Sequence, residues 1–187
     1  MNKRQSIPFI ALIVAFVFWV YIKPETEVPS LPEHHPSYIA DDVTSQHYDQ
    51  LGFNDYRVFA DKMTNYSEDE STHFESPKVI VYNKNTQTGV VSTWQLTSLK
   101  GTLTDKYKLV LSGKVLIENL SKDQIVQTMS TDEATVMLDS KIITTPLQVN
   151  WTGPQMRQQG VGMWASMETE EMTLNSNTKA VYFNESK

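Results

Sequence analysis

The sequence predicts an all-β domain that follows a single N-terminal transmembrane helix. Beyond residue 37, apolar and polar residues alternate in run after run, and Val, Ile and Thr are frequent in these runs. No segment after residue 24 keeps apolar residues at helical spacing over ten positions. An uninterrupted apolar run near the N-terminus supplies the helix. These patterns favour many antiparallel strands in a sandwich, a barrel or an open roll.

The predicted anchor is the segment 7–22, IPFIALIVAFVFWVYI, which has no charged side chain. As a helix it would be about 24 Å long, close to the thickness of a hydrocarbon core. Lys3 and Arg4 precede it and acidic residues follow it, so residues 1–6 should be cytoplasmic and the bulk exported. A cleaved signal peptide is the alternative, but Phe16 to Glu27 contains no Ala, Gly or Ser for a cleavage site. We therefore expect an uncleaved single-pass anchor.

Composition separates the rest of the chain into a linker and a domain. Residues 23–37 contain four prolines and form an extended linker, and residues 38–187 form the exported domain. The net charge of the chain is −6 and the first 23 residues contribute +3, so the remainder carries −9. Such an acidic domain would repel a phosphate backbone, which argues against nucleic-acid binding. The absence of cysteine excludes disulfides and thiolate metal sites.

Within the domain, the segment 109–117 shows the clearest alternation, with Ser112 and Lys114 opposite its apolar face. Shorter segments with the same pattern occur before and after it, at 56–60, 94–96, 134–138, 147–151, 161–167, 172–174 and 180–183. These segments predict successive strands of a meander.

The motifs of catalysis are missing from the sequence. It has no G-x-S-x-G, no glycine-rich phosphate loop and no H-E-x-x-H. The four histidines have no partner at metal-ligand spacing, and the acidic clusters lack the spacing of a calcium loop. We therefore predict no enzyme activity, no catalytic residue, no metal site and no cofactor.

Six of the eight methionines occur between residues 129 and 172, at positions 129, 137, 156, 163, 167 and 172. Flexible thioether side chains suit a surface that accepts irregular apolar ligands, and they also fill ordinary cores. The methionines alone leave both interpretations open.

Motifs along nearly the whole chain, in this order, resemble the LptC family of lipopolysaccharide export proteins. Each motif is weak alone, but their order, the anchor and the chain length together are specific. They are P-x-Y at 36–38, G-x-x-x-Y-x-V-x-A at 52–60, F-x-x-P at 74–77, W-x-L at 94–96, L-x-G-x-V-x-I at 111–117, T-x-x-A at 131–134 and G-x-G-M at 160–163. The chain departs from the family pattern at Asn54 and Asp55, which are polar where an apolar residue is common.

The resemblance implies a bacterial inner-membrane protein whose periplasmic domain is an open antiparallel β-jellyroll, with an apolar groove between two facing sheets. It implies that lipopolysaccharide is received from an inner-membrane ABC transporter and passed to a soluble periplasmic bridge protein, LptA. The alternative is a structural or adaptor protein of an envelope complex with a closed β core and no lipid cargo.

Inward positions of the predicted strands form the expected lipid-binding groove, where an open roll could accept acyl chains. They are Val43, Tyr56, Val58, Phe74, Val79, Trp94, Leu111, Val115, Val136, Val149, Met163, Met172 and Tyr182. By the resemblance, the transporter should contact the transmembrane helix and an N-terminal edge strand that includes Tyr38, Ile39 and Thr44. LptA should add to a C-terminal edge strand that includes Thr178, Ala180, Val181 and Phe183.

Overall fold

The computed structural model describes residues 35–84, 89–122 and 124–183, and in these residues eleven strands form one antiparallel sheet. The all-β prediction is confirmed. The predicted anchor at 7–22, the tail at 1–6 and all but the last three residues of the linker lie outside the described residues. Within the described ranges, no helix has the length and apolarity needed to cross a membrane. The strands are β1 Tyr38–Tyr48, β2 Asn54–Tyr66, β3 Ser71–Glu75, β4 Lys78–Lys84, β5 Val91–Thr97, β6 Lys100–Thr104, β7 Lys108–Asn119, β8 Thr128–Met137, β9 Ile142–Gly153, β10 Met156–Ser166 and β11 Glu171–Tyr182.

Most strands pair with their neighbours in sequence. Two pairs of short strands lie end to end, β3 with β4 and β5 with β6, and each pair lies beside one long strand. Both β3 and β4 pair with β2, and both β5 and β6 pair with β7. Beyond β7 the order continues through β8, β9 and β10 to β11, while β1 pairs with β2 at the other side. The edge strands of the sheet are therefore β1 and β11.

A line of backbone irregularities crosses the sheet near the middle of the strands, and we call this line the crease. Positive φ angles mark it at Asp42, Ser76, Gly113, Gly162 and Asn177. In β8 the pairing with β9 lapses between residues 130 and 135, opposite the proline of β9 at 146. Bulges bend a strand and increase its twist. Bulges aligned across a sheet therefore bend the whole sheet along one line.

The bent sheet folds back on itself into two facing layers. The side chain of Asn83 in β4 contacts the backbone of Met167, which follows β10, although β4 and β10 are five strands apart in the sheet order. At about 4.8 Å per strand these elements would be about 24 Å apart in a flat sheet. We name the two halves the β4 layer, which also contains β5, and the β3 layer, which also contains β6. The long strands cross the crease, so each contributes one half to each layer. Together the two layers form the expected β-jellyroll.

The inner faces of the two layers supply the core. Fully buried side chains come from both layers, with relative exposures of 0–2%, and include Val79, Leu96, Leu111, Ile117, Met129 and Ile143. Burial of each such side chain contributes about 1.5–3 kcal/mol relative to exposure.

Replacement of Gly162 by alanine should destabilise the fold more than replacement of Gly52. Both residues have positive φ, but a Cβ at Gly162 would lie 2.6 Å from Asn175 Nδ2 and 3.1 Å from Asn175 Cβ. At Gly52, no atom of the described residues lies within 4 Å of the added Cβ. We expect Gly52→Ala to cost about 1 kcal/mol from backbone strain, and Gly162→Ala about 2–3 kcal/mol. Urea unfolding of residues 34–187 measures both, and equal losses would show that the crease tolerates a side chain.

Candidate functional site

The inner face of the jellyroll is apolar along most of its length. Of the thirteen predicted groove residues, seven are at most 2% exposed: Val79, Trp94, Leu111, Val115, Val136, Val149 and Met163. Phe74 is also buried, while Val43, Tyr56, Val58 and Met172 are half-buried. The structure therefore brings twelve of them together on or beside one apolar interior, whose centre is covered by protein.

Tyr182 is placed differently from the other twelve. It pairs with buried Met156 and so belongs to the inward face of β11, but it is 70% exposed. The reason is its position at the free end of an edge strand, where no opposite layer covers it. Tyr182 lies at the rim and does not line the interior.

If the alternation of inward and outward residues is continued unchanged through the crease, some apolar residues are assigned to the wrong face. Leu147, expected inward with Val149, is 40% exposed because it follows Pro146 at the bend. Met137 lies opposite in parity to buried Val136, so it faces outward. Leu174 packs against the core, as its alternation with Met172 predicts, whereas Met63 and Leu103 also pack there without having been predicted. The sequence signal that could have identified them is the glycines and the proline at the crease. A bulge or a proline there changes which residues of a strand face inward.

A cluster of polar contacts joins the two layers at their strand ends, and we call this cluster the latch. Lys141 Nζ, in the turn between β8 and β9, lies 2.7 Å from Asp55 Oδ1 and donates to the Tyr82 carbonyl oxygen at 3.4 Å. Asn83 Nδ2 donates to the Met167 carbonyl oxygen at 2.6 Å. The latch closes the side of the roll opposite the crease. The polar departure from the family pattern at Asp55 is therefore an ion pair between layers.

A cleft of about 670 Å³ lies beside the latch. Its lining combines latch residues with Phe53, Lys84 and Glu168, and Lys84 Nζ lies 3.7 Å from the centre of the Phe53 ring. Burial raises the pKa of the neighbouring Tyr56 phenol, and the Asp55 carboxylate adds to the rise. Tyr56 therefore stays neutral at physiological pH. Within the described residues, no cluster of three or more His, Asp or Glu side chains could hold a metal.

Both edge strands are exposed on their outer side. Tyr38 and Ile39 are more than half exposed, Thr44 is exposed, and the same is true of Thr178, Ala180 and Val181 in β11. Phe183, predicted as part of the edge strand, comes directly after β11. Its backbone N–H donates to the Gln155 carbonyl oxygen at 2.9 Å.

That hydrogen bond fixes the direction of the other donors in this part of β11. In an antiparallel pair, alternate residues direct their N–H groups to the partner strand. Residue 183 faces β10, and the register is regular from Val181 to residue 183, so the Val181 N–H also faces β10. The N–H groups of Ala180 and Tyr182 consequently face the open edge.

Comparison with known proteins agrees with this architecture. The family model "Lipopolysaccharide-assembly, LptC-related" matches residues 8–183. The chain is 25% identical to the lipopolysaccharide export system protein LptC of Haemophilus influenzae over 97% of this chain and 95% of that protein. It is 23% identical to LptC of Escherichia coli K12, with the same coverage of each chain.

A solved structure with the same fold is LptH of Pseudomonas aeruginosa, described as the LptA homologous periplasmic component of the lipopolysaccharide transport device. It matches with a TM-score of 0.51 and 10% identity, over 69% of this chain and 95% of that chain. At this identity the likeness concerns the fold alone. The family match over residues 8–183 shows that the chain belongs to the LptC family, whose members are non-enzymatic components of lipopolysaccharide export.

Proposed function

We propose that the chain receives lipopolysaccharide from an inner-membrane ABC transporter and passes it to the periplasmic protein LptA, holding the acyl tails between its two layers. The observation that supports this proposal best is a folded sheet with an apolar inner face and two unpaired edges. In the same proposal, residues 7–22 anchor the protein in the inner membrane with one span, and the domain lies in the periplasm.

The energetics suit a carrier. If about 300 Å² of tail surface leaves water, the gain is about 7 kcal/mol before ordering costs. Each hydrogen bond or half-buried ion pair of the latch contributes about 1 kcal/mol. Tail burial can therefore offset the loss of the latch bonds, while the apolar contacts that the layers lose on parting are exchanged for contacts with the tails. The acidic domain leaves the anionic sugar head at the rim, in water.

A second candidate is an adaptor protein with a closed core and no lipid cargo. The observation that favours it is the burial of the central inward residues, which are 0–2% exposed without any lipid. The two candidates differ in whether the layers part to admit a ligand.

Photo-crosslinking at adjacent residues of β7 tests lipid entry. A crosslinker at Leu111, which faces inward, should capture lipopolysaccharide, whereas one at Ser112 on the opposite face should not. We expect a Leu111 signal about tenfold above that at Ser112, because successive side chains of a strand point to opposite faces. Lipid attached to either residue is detected by immunoblot after expression in a lipopolysaccharide-producing cell. Equal capture, or none at Leu111, would favour the adaptor function.

Locking the latch should prevent loading. The chain has no cysteine, so Asn83→Cys with Met167→Cys introduces a single pair of thiols, at two residues that hydrogen-bond to each other across the layers. Loss of free thiol on oxidation shows that the disulfide has formed. Oxidised protein should capture about tenfold less lipid at Leu111 than reduced protein, because the tails cannot pass. The control is Ile80→Cys with Gln95→Cys, which links neighbouring strands within one layer. Undiminished capture by the locked protein would place lipid entry elsewhere.

Proline at residue 180 should weaken LptA binding. Ala180→Pro removes an N–H that faces the open edge of β11 and leaves the pairing with β10 intact. We expect at least about a tenfold loss in a pull-down, because strand addition depends on backbone hydrogen bonds. Ala180→Ser keeps the donor and should bind as the original chain does. Val181→Pro is unsuitable as a test, because the Val181 donor faces β10. Unchanged binding by Ala180→Pro would exclude strand addition at this edge.

A further inference from the structure

An unpaired hydrogen-bond donor is buried on the inner face of the β4 layer. Trp94 is 1% exposed, and its indole Nε1 has no hydrogen-bond partner in the part of the chain that the structure describes. Proteins pair the great majority of buried donors, because an unpaired one loses its hydration without compensation. Trp151 in the same layer shows the usual arrangement, since its Nε1 donates to Met163 Sδ at 3.4 Å.

Trp94 adjoins three buried polar side chains, Asn83, Ser92 and Asn119, which we call the polar band. Asn83 pairs with Ser92 across β4 and β5, and Asn119 pairs with Trp94 across β5 and β7. Asn119 Nδ2 donates to Ser92 Oγ at 3.4 Å. Between Trp94 and the crease, the inward positions of β4, β5 and β7 are instead apolar: Val79, Val81, Leu96, Val115 and Ile117. Buried polar side chains occur again at the crease, at Ser98 and Thr131. The inner face therefore changes from polar to apolar along the strand direction.

Among the residues that the structure describes, two other buried polar atoms also lack partners, Arg57 Nε and Thr131 Oγ1. Arg57 lies between the inward residues Tyr56 and Val58 and so faces outward. Thr131 lies at the crease, where the pairing of β8 with β9 lapses. Of the three, Trp94 alone combines an inward position with the polar band.

We propose that the Trp94 indole N–H binds an oxygen in the acyl region of the lipid, an ester or amide carbonyl or a hydroxyl group. The lipid then lies with its oxygen-bearing end at the polar band and its hydrocarbon tails towards the crease. This inference rests on the proposed function and adds a hydrogen-bonding subsite and a fixed lipid orientation. The latch contacts of Tyr82 and Asn83 are adjacent to Trp94 in the sheet, so the donor becomes accessible when the layers part.

Nuclear magnetic resonance of full-length protein in lipid nanodiscs, with isotope-labelled tryptophan, observes the donor directly. The two probes are purified lipopolysaccharide and dodecylpyrene, a hydrocarbon that has no oxygen. Lipopolysaccharide should move the Trp94 indole proton resonance downfield as the hydrogen bond forms, and dodecylpyrene should not. The resonance that Trp94→Phe removes identifies Trp94. The Trp151 proton, which already has an acceptor, should not move downfield.

Affinity provides the second measurement. Trp94→Phe should weaken lipopolysaccharide binding about five- to tenfold and dodecylpyrene binding by less than about twofold, because one neutral hydrogen bond is lost. Trp151→Phe is the matched control and should change both affinities by a similar factor. If Trp94→Phe does not fold, phenylalanine substitutions at the other three tryptophans assign the remaining resonance to Trp94, and the labelled original protein then decides.

The outcomes separate the subsite from the function it rests on. The subsite would be overturned if lipopolysaccharide bound without moving the Trp94 resonance. It would also be overturned if Trp94→Phe weakened the binding of lipopolysaccharide and dodecylpyrene equally. Either result would leave lipid binding itself intact. Failure of lipopolysaccharide to bind the original protein would overturn both.

Discussion

The alignment of bulges along the crease is the constraint on which the rest of this structure depends. A single bulge re-aims a few side chains, but bulges at matching positions from β7 to β11, together with the positive φ angle at Asp42 in β1, bend the long strands along the same line. Because of that bend, residues that would be about 24 Å apart in a flat sheet come into contact, and one sheet supplies both walls of an interior. The two edges stay unpaired, since the sheet folds instead of closing as a barrel does.

The interior and the latch place opposite demands on the domain. Apolar side chains from both layers pack to exclude water, which stabilises the folded chain without a ligand. A carrier has to exchange some of these contacts for contacts with acyl tails. Asp55, Lys141, Asn83 and Met167 concentrate the polar contacts between layers at the side away from the crease, so a few weak bonds resist opening there. Under the proposed function, the domain is well packed at rest and admits lipid when the latch contacts break.

The two ends of the inner face differ in polarity, so the interior has a defined direction. The polar band and Trp94 lie near the latch, and apolar positions extend from there to the crease. An amphiphile between the layers would meet hydrogen-bonding groups at one end and hydrocarbon at the other. Transfer between proteins of the same fold would then preserve the orientation of the lipid, provided that the sheets join edge to edge.

The sequence by itself determined the strands and the inward residues within each half of a strand. Alternation has a period of two, and burial of one face leaves little freedom in register, so the inward placement of Leu111, Val115 and Val136 follows from the residue pattern alone. The order of short motifs likewise indicated the family. Only the tertiary structure decided which residues face inward on the two sides of the crease. The bend shifts the alternation of inward and outward residues, as between Thr131 and Ala134 in β8. It alone paired Asp55 with Lys141, which are 86 positions apart, and directed the Val181 donor towards β10. It also left the Trp94 indole without an acceptor among the described residues. These features depend on which distant strands meet when the sheet folds, and local periodicity carries no information about such meetings.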